Sequence, residues 1–345
     1  MSKAKRIFFV NDERDFSDKL FLSGLRKRIK GLIKLGHDTH VFNYRRAFLQ
    51  AGPVMSRKFA RRWCKKRMVD PLLNKQVKDY APDIIHVDFA NYLNAETIML
   101  MREAAPKAVF VGTDGDPWPG LHKERMEVAA KLDLMMATFE GQWLDSYKEL
   151  GIKTSFMPNM CDPDIDHRYE VAQKWKTDIL FTGQAKFKRK RYPTDDTRYH
   201  VLSRLVDMKN CTLYGCLDRP RIGGINYLYA ISGARIGLSV NVANDIRLYH
   251  SDRLTHYLAC GTFVLAKRVP GSELLFKDGV HLRYFDTVEE FFDLANWYLS
   301  HEAERKRIAD AGMKRIHEEF NCVKMAGYIL DLVEKGSYSA PWSSS

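Results

Sequence analysis

The chain has 345 residues, of which 45% are hydrophobic and 28% charged, and Lys and Arg outnumber Asp and Glu by 55 to 43. This composition excludes a largely disordered chain and is typical of about two globular domains. Its apolar runs are far shorter than the roughly 20 residues of a membrane-spanning helix, and Asn11, Asp12 and Glu13 interrupt the first of them. We therefore expect neither a membrane span nor a signal peptide.

The six cysteines are scattered along the chain, without a Cys-x-x-Cys pair and without a Cys/His cluster at zinc spacing. Cysteines in such a pattern are typically buried thiols of a protein from a reducing compartment. The sequence therefore predicts a cytoplasmic protein with no metal site and no disulfide framework.

The positive charge is concentrated near the N-terminus, because residues 1–67 hold 19 Lys and Arg but only 5 Asp and Glu. Within them, segment 55–67 has apolar residues at every fourth position and predicts a basic amphipathic helix. Such a helix packs on a core, lies on an anionic membrane surface, or follows the phosphates of a nucleic acid. The candidate residues for an acceptor or polyanion surface are Phe59, Arg61, Arg62, Trp63, Lys65 and Lys66.

Short β-rich runs alternate with helical segments through the first half of the chain. The predicted strands are 6–10, 40–42, 83–87, 108–112, 133–138 and 154–158, and the main predicted helices are 19–35 and 55–80. This repeated βα pattern predicts a parallel sheet with helices on both faces.

The pattern breaks at 158–176, which is rich in Pro and Asp, and then begins again. The second series of predicted strands is 178–183, 211–215, 234–240, 261–266 and 281–285, followed by helices over 287–335. We therefore predict an α/β fold with two Rossmann-like domains, 1–160 and 161–335, facing each other across a cleft, and a frayed tail at 336–345. No G-x-G-x-x-G follows the first strand of either half and no P-loop motif is present, which argues against a dehydrogenase or a P-loop NTPase.

Segment 247–285 carries the strongest indication of chemistry. It is predicted to form a loop, a helix, a Cys-Gly turn and a strand. Ser251 or Asp252 is placed to cap the helix, whose N-terminal amides suit a phosphate, and Arg253 adds a fixed cation. The alternative is a surface arginine paired with a carboxylate.

This segment resembles the C-terminal half of GT-B glycosyltransferases, and most of all the CgeB-like, glycosyl-transferase group 1 type. The likeness is strongest over 234–320, and MPNMCD (157–162) and DILFTG (178–183) resemble the domain junction and the strand that opens the nucleotide-binding half. The chain departs from the family pattern at His256, where the family places a ribose-binding Glu. It also lacks the spaced pair of glutamates that is typical of the retaining members.

The resemblance implies a GT-B glycosyltransferase that moves a sugar from a UDP-, GDP- or dTDP-linked donor to a hydroxyl acceptor. It places the donor on the C-terminal domain and the acceptor, a glycan or lipid-linked glycan, on the N-terminal domain, with no cofactor and no metal. We expect it in the cytoplasm, peripheral on the inner membrane face. The alternatives are a glycosyltransferase acting on nucleic acid and a non-catalytic bilobal protein that binds a phosphorylated ligand.

The donor-binding residues that follow from this resemblance lie in three places. Gly183 leaves room for the donor, Lys186 and Arg198 belong to a basic segment predicted as a loop, and Tyr214 is a candidate wall of the base pocket. Solvated lysines and arginines are the alternative for that segment. The full predicted set is Gly183, Lys186, Arg198, Tyr214, Ser251, Arg253, His256 and Gly261.

Three strand ends supply candidate general bases, which must reach the acceptor hydroxyl. Asp114 in TDGDPWPG (113–120) comes first, followed by Asp12 and by His86 with its neighbour Asp88. Turn capping, helix capping and a structural histidine are the respective alternatives. The Asp-x-Asp at Asp114 also resembles the metal signature of GT-A glycosyltransferases, an interpretation we rank below the base.

Overall fold

The computed structural model describes residues 3–11, 22–51, 64–88, 93–117, 123–185 and 196–342. By their internal contacts these residues form two compact units. The first unit takes in the described parts of Met1–Leu20, Ile29–Met157 and Leu330–Gly336. The second takes in those of Phe21–Arg28, Pro158–Ile329 and Ser337–Ser345.

The first unit is built on a parallel sheet of six strands in the order β2-β1-β3-β4-β5-β6. Its four inner strands are largely apolar, as expected where helices cover both faces of a sheet, whereas its two edge strands are more polar. The strands are β1 (Arg6–Asn11), β2 (Asp38–Asn43), β3 (Ile84–Asp88), β4 (Val109–Asp114), β5 (Leu134–Ala137) and β6 (Lys153–Phe156).

Helices connect these strands. They are α1 (Gly24–Lys34), α2 (Tyr44–Ala51), α3 (Asp70–Tyr80), α4 (Ala95–Ala104), α5 (Lys123–Ala129) and α6 (Gln142–Lys148). A π-helical turn at Lys65–Val69 leads into α3. The described part of the helix predicted over 55–80 is thus helical, while α2 is a helix that the sequence analysis missed.

The second unit has a parallel sheet of five strands in the order β11-β10-β9-β7-β8. The strands are β7 (Thr177–Ala185), β8 (Cys211–Cys216), β9 (Ala234–Ser239), β10 (Phe263–Lys267) and β11 (Arg283–Phe285). The helices are α7 (Thr197–Leu205), α8 (Gly224–Ser232), α9 (Asp252–Ala259), α10 (Val288–Ser300), α11 (Glu302–Glu319) and α12 (Cys322–Lys335). The two parallel sheets and the C-terminal helices confirm the predicted fold class.

In each sheet the strand order reverses once, between β1 and β3 in the first and between β7 and β9 in the second. Adjacent connections leave in opposite directions at such a point, so a crevice opens at the carboxyl ends of the two strands, where α/β proteins bind their ligands. The two reversals therefore indicate where to look for functional groups.

The segment predicted to be frayed contains one buried side chain. The indole of Trp342 is 3% exposed and stacks on the ring of Phe320, with 4.5 Å between ring centroids. Its Nε1 donates a hydrogen bond to the hydroxyl of Tyr338 at 3.2 Å. Burial of this aromatic ring anchors the segment at Trp342, whereas most of residues 336–341 are exposed.

In the described part of the chain, no helix is both long enough and apolar enough to cross a lipid bilayer.

Candidate active site

Arg253 spans the strand reversal of the second sheet. It lies in the first turn of α9 and is 8% exposed. Its Nε donates to the carbonyl of Thr182 at the end of β7, and its Nη1 donates to the carbonyl of Val240 after β9 at 3.1 Å. Its guanidinium carbon lies 4.5 Å from the centroid of the Phe181 ring. Backbone and ring contacts thus fix one cation at the carboxyl ends of both strands.

The loop that leads from β9 into α9 is held by side-chain amides. Asn241 accepts the Ser251 N–H on its Oδ1 at 3.2 Å and donates from Nδ2 to the Tyr249 carbonyl at 3.0 Å. Leu248 adopts a left-handed backbone with φ 59°, which its buried side chain and the 2.9 Å bond from its N–H to Pro270 maintain. A strained loop held in this way fixes the start of α9 and hence Arg253.

Arg198 brings a second cation to the same place. It is 6% exposed, and its guanidinium carbon lies 5.1 Å from the Phe181 ring centroid. A Cβ added to Gly183 would lie 2.7 Å from Arg253 Nη2 and 3.2 Å from Arg198 Nη2, so both guanidinium groups converge on this glycine. Burial, together with the charge of Arg253, lowers the pKa of Arg198 to about 9.

The charge of Arg253 is not neutralised by a carboxylate within the described residues. Its contacts there are with two carbonyl oxygens and an aromatic ring. Two like charges held together under burial repel each other and are stabilised by an anion placed between or beside them. The arrangement is therefore suited to a phosphate or diphosphate.

Two details of the sequence analysis need correction here. Arg198 lies in helix α7 and not in a loop. The helix forms there because its apolar residues pack against the hydrophobic core of the second unit. Ser251 is the N-cap residue of α9, but its side chain makes no capping bond, and its buried Oγ makes no hydrogen bond with the described residues. A hydroxyl that is not used for capping is left to bond a ligand oxygen.

The remaining predicted donor residues do not all lie near Arg198 and Arg253. Tyr214 pairs with Thr182 on the neighbouring strand and is half-buried, which raises the pKa of its hydroxyl. Gly261 follows the far end of α9, about 12 Å along the helix, with φ 68° and the Arg168 guanidinium bonded to its carbonyl at 3.0 Å. Gly261 therefore terminates a helix and does not join the arginines. Lys186 lies outside the described residues.

His256 is not placed to bond a ribose. The side chain is 1% exposed, its Nε2 lies 2.9 Å from Lys27 Nζ, and its Nδ1 lies 3.1 Å from the Tyr227 hydroxyl. Lys27 belongs to the second unit, as His256 and Tyr227 do. Since both ring nitrogens already have protein partners, the geometry does not support the predicted ribose contact.

At the end of β4 in the first unit, Asp114 is enclosed by its own partners. It is 2% exposed, its Oδ1 accepts from Arg125 Nη2 at 2.7 Å, and its Oδ2 accepts from the Tyr147 hydroxyl at 2.7 Å. Burial raises the pKa of Asp114 to about 6 although Arg125 and Tyr147 oppose the shift. Both oxygens are engaged, so the geometry does not support the prediction that Asp114 faces an acceptor as general base.

The same contacts do not support metal binding by the Asp-x-Asp pattern, because the Arg125 guanidinium occupies a position next to Asp114 that a bound metal ion would need. Within the described ranges, no group of three or more His, Cys, Asp or Glu side chains is arranged to hold a metal ion.

The end of β3 lies beside the strand reversal of the first sheet. His86 is 1% exposed, and its Nε2 lies 3.1 Å from Thr113 Oγ1, while its Nδ1 lies 3.8 Å from Asp88 Oδ1. The Asp88 side chain is 23% exposed. Asp88 is therefore more accessible than Asp114 and His86. Its position as the last residue of a strand at the reversal is the signal that identifies it. Asp12 lies outside the described residues.

Of the predicted polyanion surface, only Lys65 and Lys66 are described. Lys65 Nζ points inward, at 2.6 Å from Asp70 Oδ2 and 2.5 Å from Thr97 Oγ1, and its side chain is 15% exposed. Lys66 is 75% exposed. The prediction is therefore wrong for Lys65, because its ammonium group forms an ion pair with the buried carboxylate of Asp70. Phe59, Arg61, Arg62 and Trp63 lie outside the described residues.

Residues 181–331 match the model of a family described as glycosyl transferase-like. No curated protein matches the chain. The chain is similar to solved structures that include HepE from Anabaena in complex with UDP and glucose, at 12% identity and a TM-score of 0.61 over 96% of this chain and 100% of that one. It is also similar to sucrose-phosphate synthase from Thermosynechococcus elongatus, at 12% identity and a TM-score of 0.61 over 96% and 98%. A UDP-forming trehalose-phosphate synthase from Burkholderia xenovorans matches at 11% identity and a TM-score of 0.60 over 97% and 100%. At such identities the likeness shows the GT-B fold.

Proposed function

We propose that this chain, which has the GT-B fold and whose residues 181–331 match the glycosyl transferase-like family model, transfers a sugar from a nucleotide-diphosphate donor to a hydroxyl acceptor. The observation that carries the proposal is the convergence of Arg198 and Arg253 on Gly183 at the strand reversal of the second sheet. The UDP and UDP-glucose bound in the HepE structures support a nucleotide sugar as the donor. UDP-, GDP- and dTDP-linked sugars are the candidates.

In this proposal the two arginines hold the donor diphosphate. The leaving nucleoside diphosphate gains negative charge as its bond to the sugar breaks, and fixed cations in a buried site stabilise that charge without rearranging. The first-turn amides of α9 and the hydroxyl of Ser251 add hydrogen-bond donors to the same phosphates. The arginines thus supply the positive charge for departure of the diphosphate, so we propose transfer without a metal or other cofactor.

For the acceptor we propose Asp88 as the general base, with His86 as the residue that orients it. The acceptor hydroxyl gives its proton to the Asp88 carboxylate, and its oxygen bonds to the anomeric carbon of the sugar. The bond between that carbon and the diphosphate oxygen breaks, and the nucleoside diphosphate leaves with the electron pair. Exposure favours Asp88 over Asp114 for this role.

We propose a glycan or lipid-linked glycan as the acceptor, reached by a cytoplasmic protein that binds the membrane surface peripherally. The excess of cations in residues 1–67 supports attraction to anionic lipid. Binding to vesicles with and without phosphatidylserine checks this part. Salt-resistant binding to DNA or RNA in place of vesicles would favour a nucleic acid acceptor instead.

The experiment that tests the function is a screen of nucleotide sugars for released nucleotide, with EDTA present. We expect one nucleotide class to be hydrolysed slowly without an acceptor and the activity to persist in EDTA. Activity that depends wholly on added Mn²⁺ would contradict the metal-free proposal. Release from none of the donors, with no binding of any nucleoside diphosphate, would contradict sugar transfer itself.

Replacement of Arg253 tests whether this arginine binds the donor diphosphate. Arg253→Ala should weaken the affinity for the preferred nucleoside diphosphate at least tenfold, because a hydrogen-bonded charge pair contributes about 1.5–3 kcal/mol. Isothermal titration calorimetry measures the affinity directly. The matched control is Arg204→Ala, since Arg204 lies on helix α7 near Arg198 but is 50% exposed and covers Phe292. Equal affinities of Arg253→Ala and Arg204→Ala would refute the proposed phosphate site.

A further inference from the structure

A set of buried polar side chains surrounds His256 within the second unit. Lys27 Nζ lies 2.7 Å from Asp166 Oδ2, 3.1 Å from the Met160 carbonyl and 2.9 Å from His256 Nε2. Lys27, Asp166 and His256 are 3%, 0% and 1% exposed. An ion pair so completely removed from water costs several kcal/mol of desolvation for each charge. Neither the fold nor phosphate binding by the arginines uses it directly.

The donor capacities of these groups fix the direction of the hydrogen bonds. An ammonium group only donates, so His256 Nε2 must accept from Lys27, and the imidazole carries its proton on Nδ1. That N–H then donates to the Tyr227 hydroxyl at 3.1 Å. His256 and Arg253 lie about one turn apart on α9, so these bonds hold the helix that carries the arginine.

On the strand side, Thr182 is the main support of Arg253. The Thr182 carbonyl accepts from Arg253 Nε, and the Thr182 N–H and Oγ1 lie 3.0 and 3.1 Å from the Tyr257 hydroxyl. Thr182 is thus held by a tyrosine of α9 while it orients the arginine. Hydrogen bonds in a buried chain strengthen one another, so loss of one member loosens the others.

We propose that Lys27, Asp166, His256 and Tyr227 form a positioning network that fixes helix α9 and thereby holds Arg253 ready for the donor diphosphate. The inference rests on the proposed function, because it takes Arg253 as the phosphate ligand. His256 acts in it without touching the nucleotide. The site therefore does not read the ribose at this position, and its effect on binding is exerted through the diphosphate alone.

The test uses inorganic pyrophosphate, which has neither ribose nor base, beside UDP and 2′-deoxy-UDP. His256→Leu should weaken all three affinities about tenfold and by the same factor, since it breaks the network but keeps a similar volume. His256→Gln should restore them, because its amide oxygen accepts from Lys27 and its amide nitrogen donates to Tyr227. A loss confined to UDP, with pyrophosphate and 2′-deoxy-UDP unaffected, would show a ribose contact and overturn the proposal.

Two further variants keep the test valid if His256→Leu folds poorly. Tyr227→Phe removes only the hydroxyl that bonds to His256 Nδ1, and it should weaken pyrophosphate binding about tenfold. Leu258→Ala is the control for general loosening, since Leu258 is fully buried on the same helix but bears no polar group. It should lower the melting temperature and keep the pyrophosphate affinity. An equal loss of affinity in Leu258→Ala would overturn the network.

The outcome also separates this inference from the proposed function. If the wild-type protein binds pyrophosphate and Arg253→Ala abolishes it while His256→Leu and Tyr227→Phe leave it unchanged, the phosphate site stands and the network fails. If the wild-type protein binds neither pyrophosphate nor any nucleoside diphosphate, both fail together.

Discussion

The carboxyl ends of the two sheets use charge in opposite ways. In the first sheet, the Asp114 carboxylate is satisfied by Arg125 and Tyr147 at 2.7 Å each. In the second sheet, Arg253 is held by carbonyl oxygens and faces another guanidinium, that of Arg198, across Gly183. A pair of opposite charges with its own hydrogen bonds is complete within the protein. Two like charges under burial are stabilised by an anion placed beside them, which is why we assign the donor to the second sheet.

The comparison also explains why residue type alone is a poor guide to a site. From the sequence, a carboxylate at the end of a strand is a candidate catalytic residue. Whether a substrate can reach it depends on its partners in the folded chain. Lys65 makes the same point, since it belongs to a basic segment but its charge is directed at Asp70. What distinguishes Arg253 is that its contacts with the described residues are carbonyl oxygens and an aromatic ring and include no carboxylate.

The largest effect should come from Asp114, because its carboxylate is paired with Arg125 but is almost completely removed from water. Its pKa is raised from 3.8 to about 6 by burial, so the folded protein binds a proton more tightly than the unfolded chain. The stability that this group contributes is fully present below about pH 4 and is lost as the pH rises through 6, a change on the order of 3 kcal/mol. Asp114→Asn should remove this loss.

Chemical denaturation of wild type and Asp114→Asn between pH 3 and 8 measures the difference. Relative to wild type, the variant should gain on the order of 3 kcal/mol from the acid to the neutral end. Turnover per folded molecule should stay near that of wild type. A large loss of turnover with unchanged nucleotide affinity would instead indicate that Asp114 is the general base. It would contradict the view that the charge of Asp114 is used only within the protein.

Lys65 gives the second test, because its removal leaves a buried carboxylate without its ammonium. Lys65→Met should lower the free energy of unfolding by about 2 kcal/mol, since Tyr44 still donates to Asp70. Lys66→Ala is the matched control and should change it by less than about 0.5 kcal/mol, because exposed pairs contribute little. The double variant Lys65→Met/Asp70→Asn should recover much of the loss. Equal stabilities of Lys65→Met and Lys66→Ala would mean that Lys65 faces solvent.

Most of the fold follows from local sequence signals. The strands of both sheets are short apolar runs that end near Gly, Asn or Asp, so their number and order along the chain are predictable. Helix α2 escapes detection because its eight residues are too few to show a helical period. The packing of Trp342 on Phe320 is also hidden, because the sequence near the chain end is mostly polar and the two rings are distant in sequence.

The site is predictable only where its residues are close in sequence. Ser251 and Arg253 stand at one helix start, and a motif shows them together. The bond from Lys27 to His256 joins residues 229 positions apart, and the contact of Tyr147 with Asp114 spans 33. Spacing carries no information about such pairs, since their proximity is set by the order of strands in each sheet. Burial and partners, which decide the chemistry, are properties of the folded chain.

The smallest of the three effects, and the most specific, concerns Gly183. A methyl group there would lie 2.7 Å from Arg253 Nη2 and 3.2 Å from Arg198 Nη2, closer than van der Waals contact allows. In Gly183→Ala the guanidinium groups must shift from the positions that their contacts give them, so nucleoside diphosphate affinity should fall at least tenfold, or about 1.4 kcal/mol. Gly327→Ala is the control, since a methyl group there meets nothing within 4 Å. Calorimetric titration with the preferred nucleotide decides the matter. If Gly183→Ala binds as tightly as Gly327→Ala, the two guanidinium groups do not grip the phosphates, and the second sheet loses the feature that sets it apart from the first.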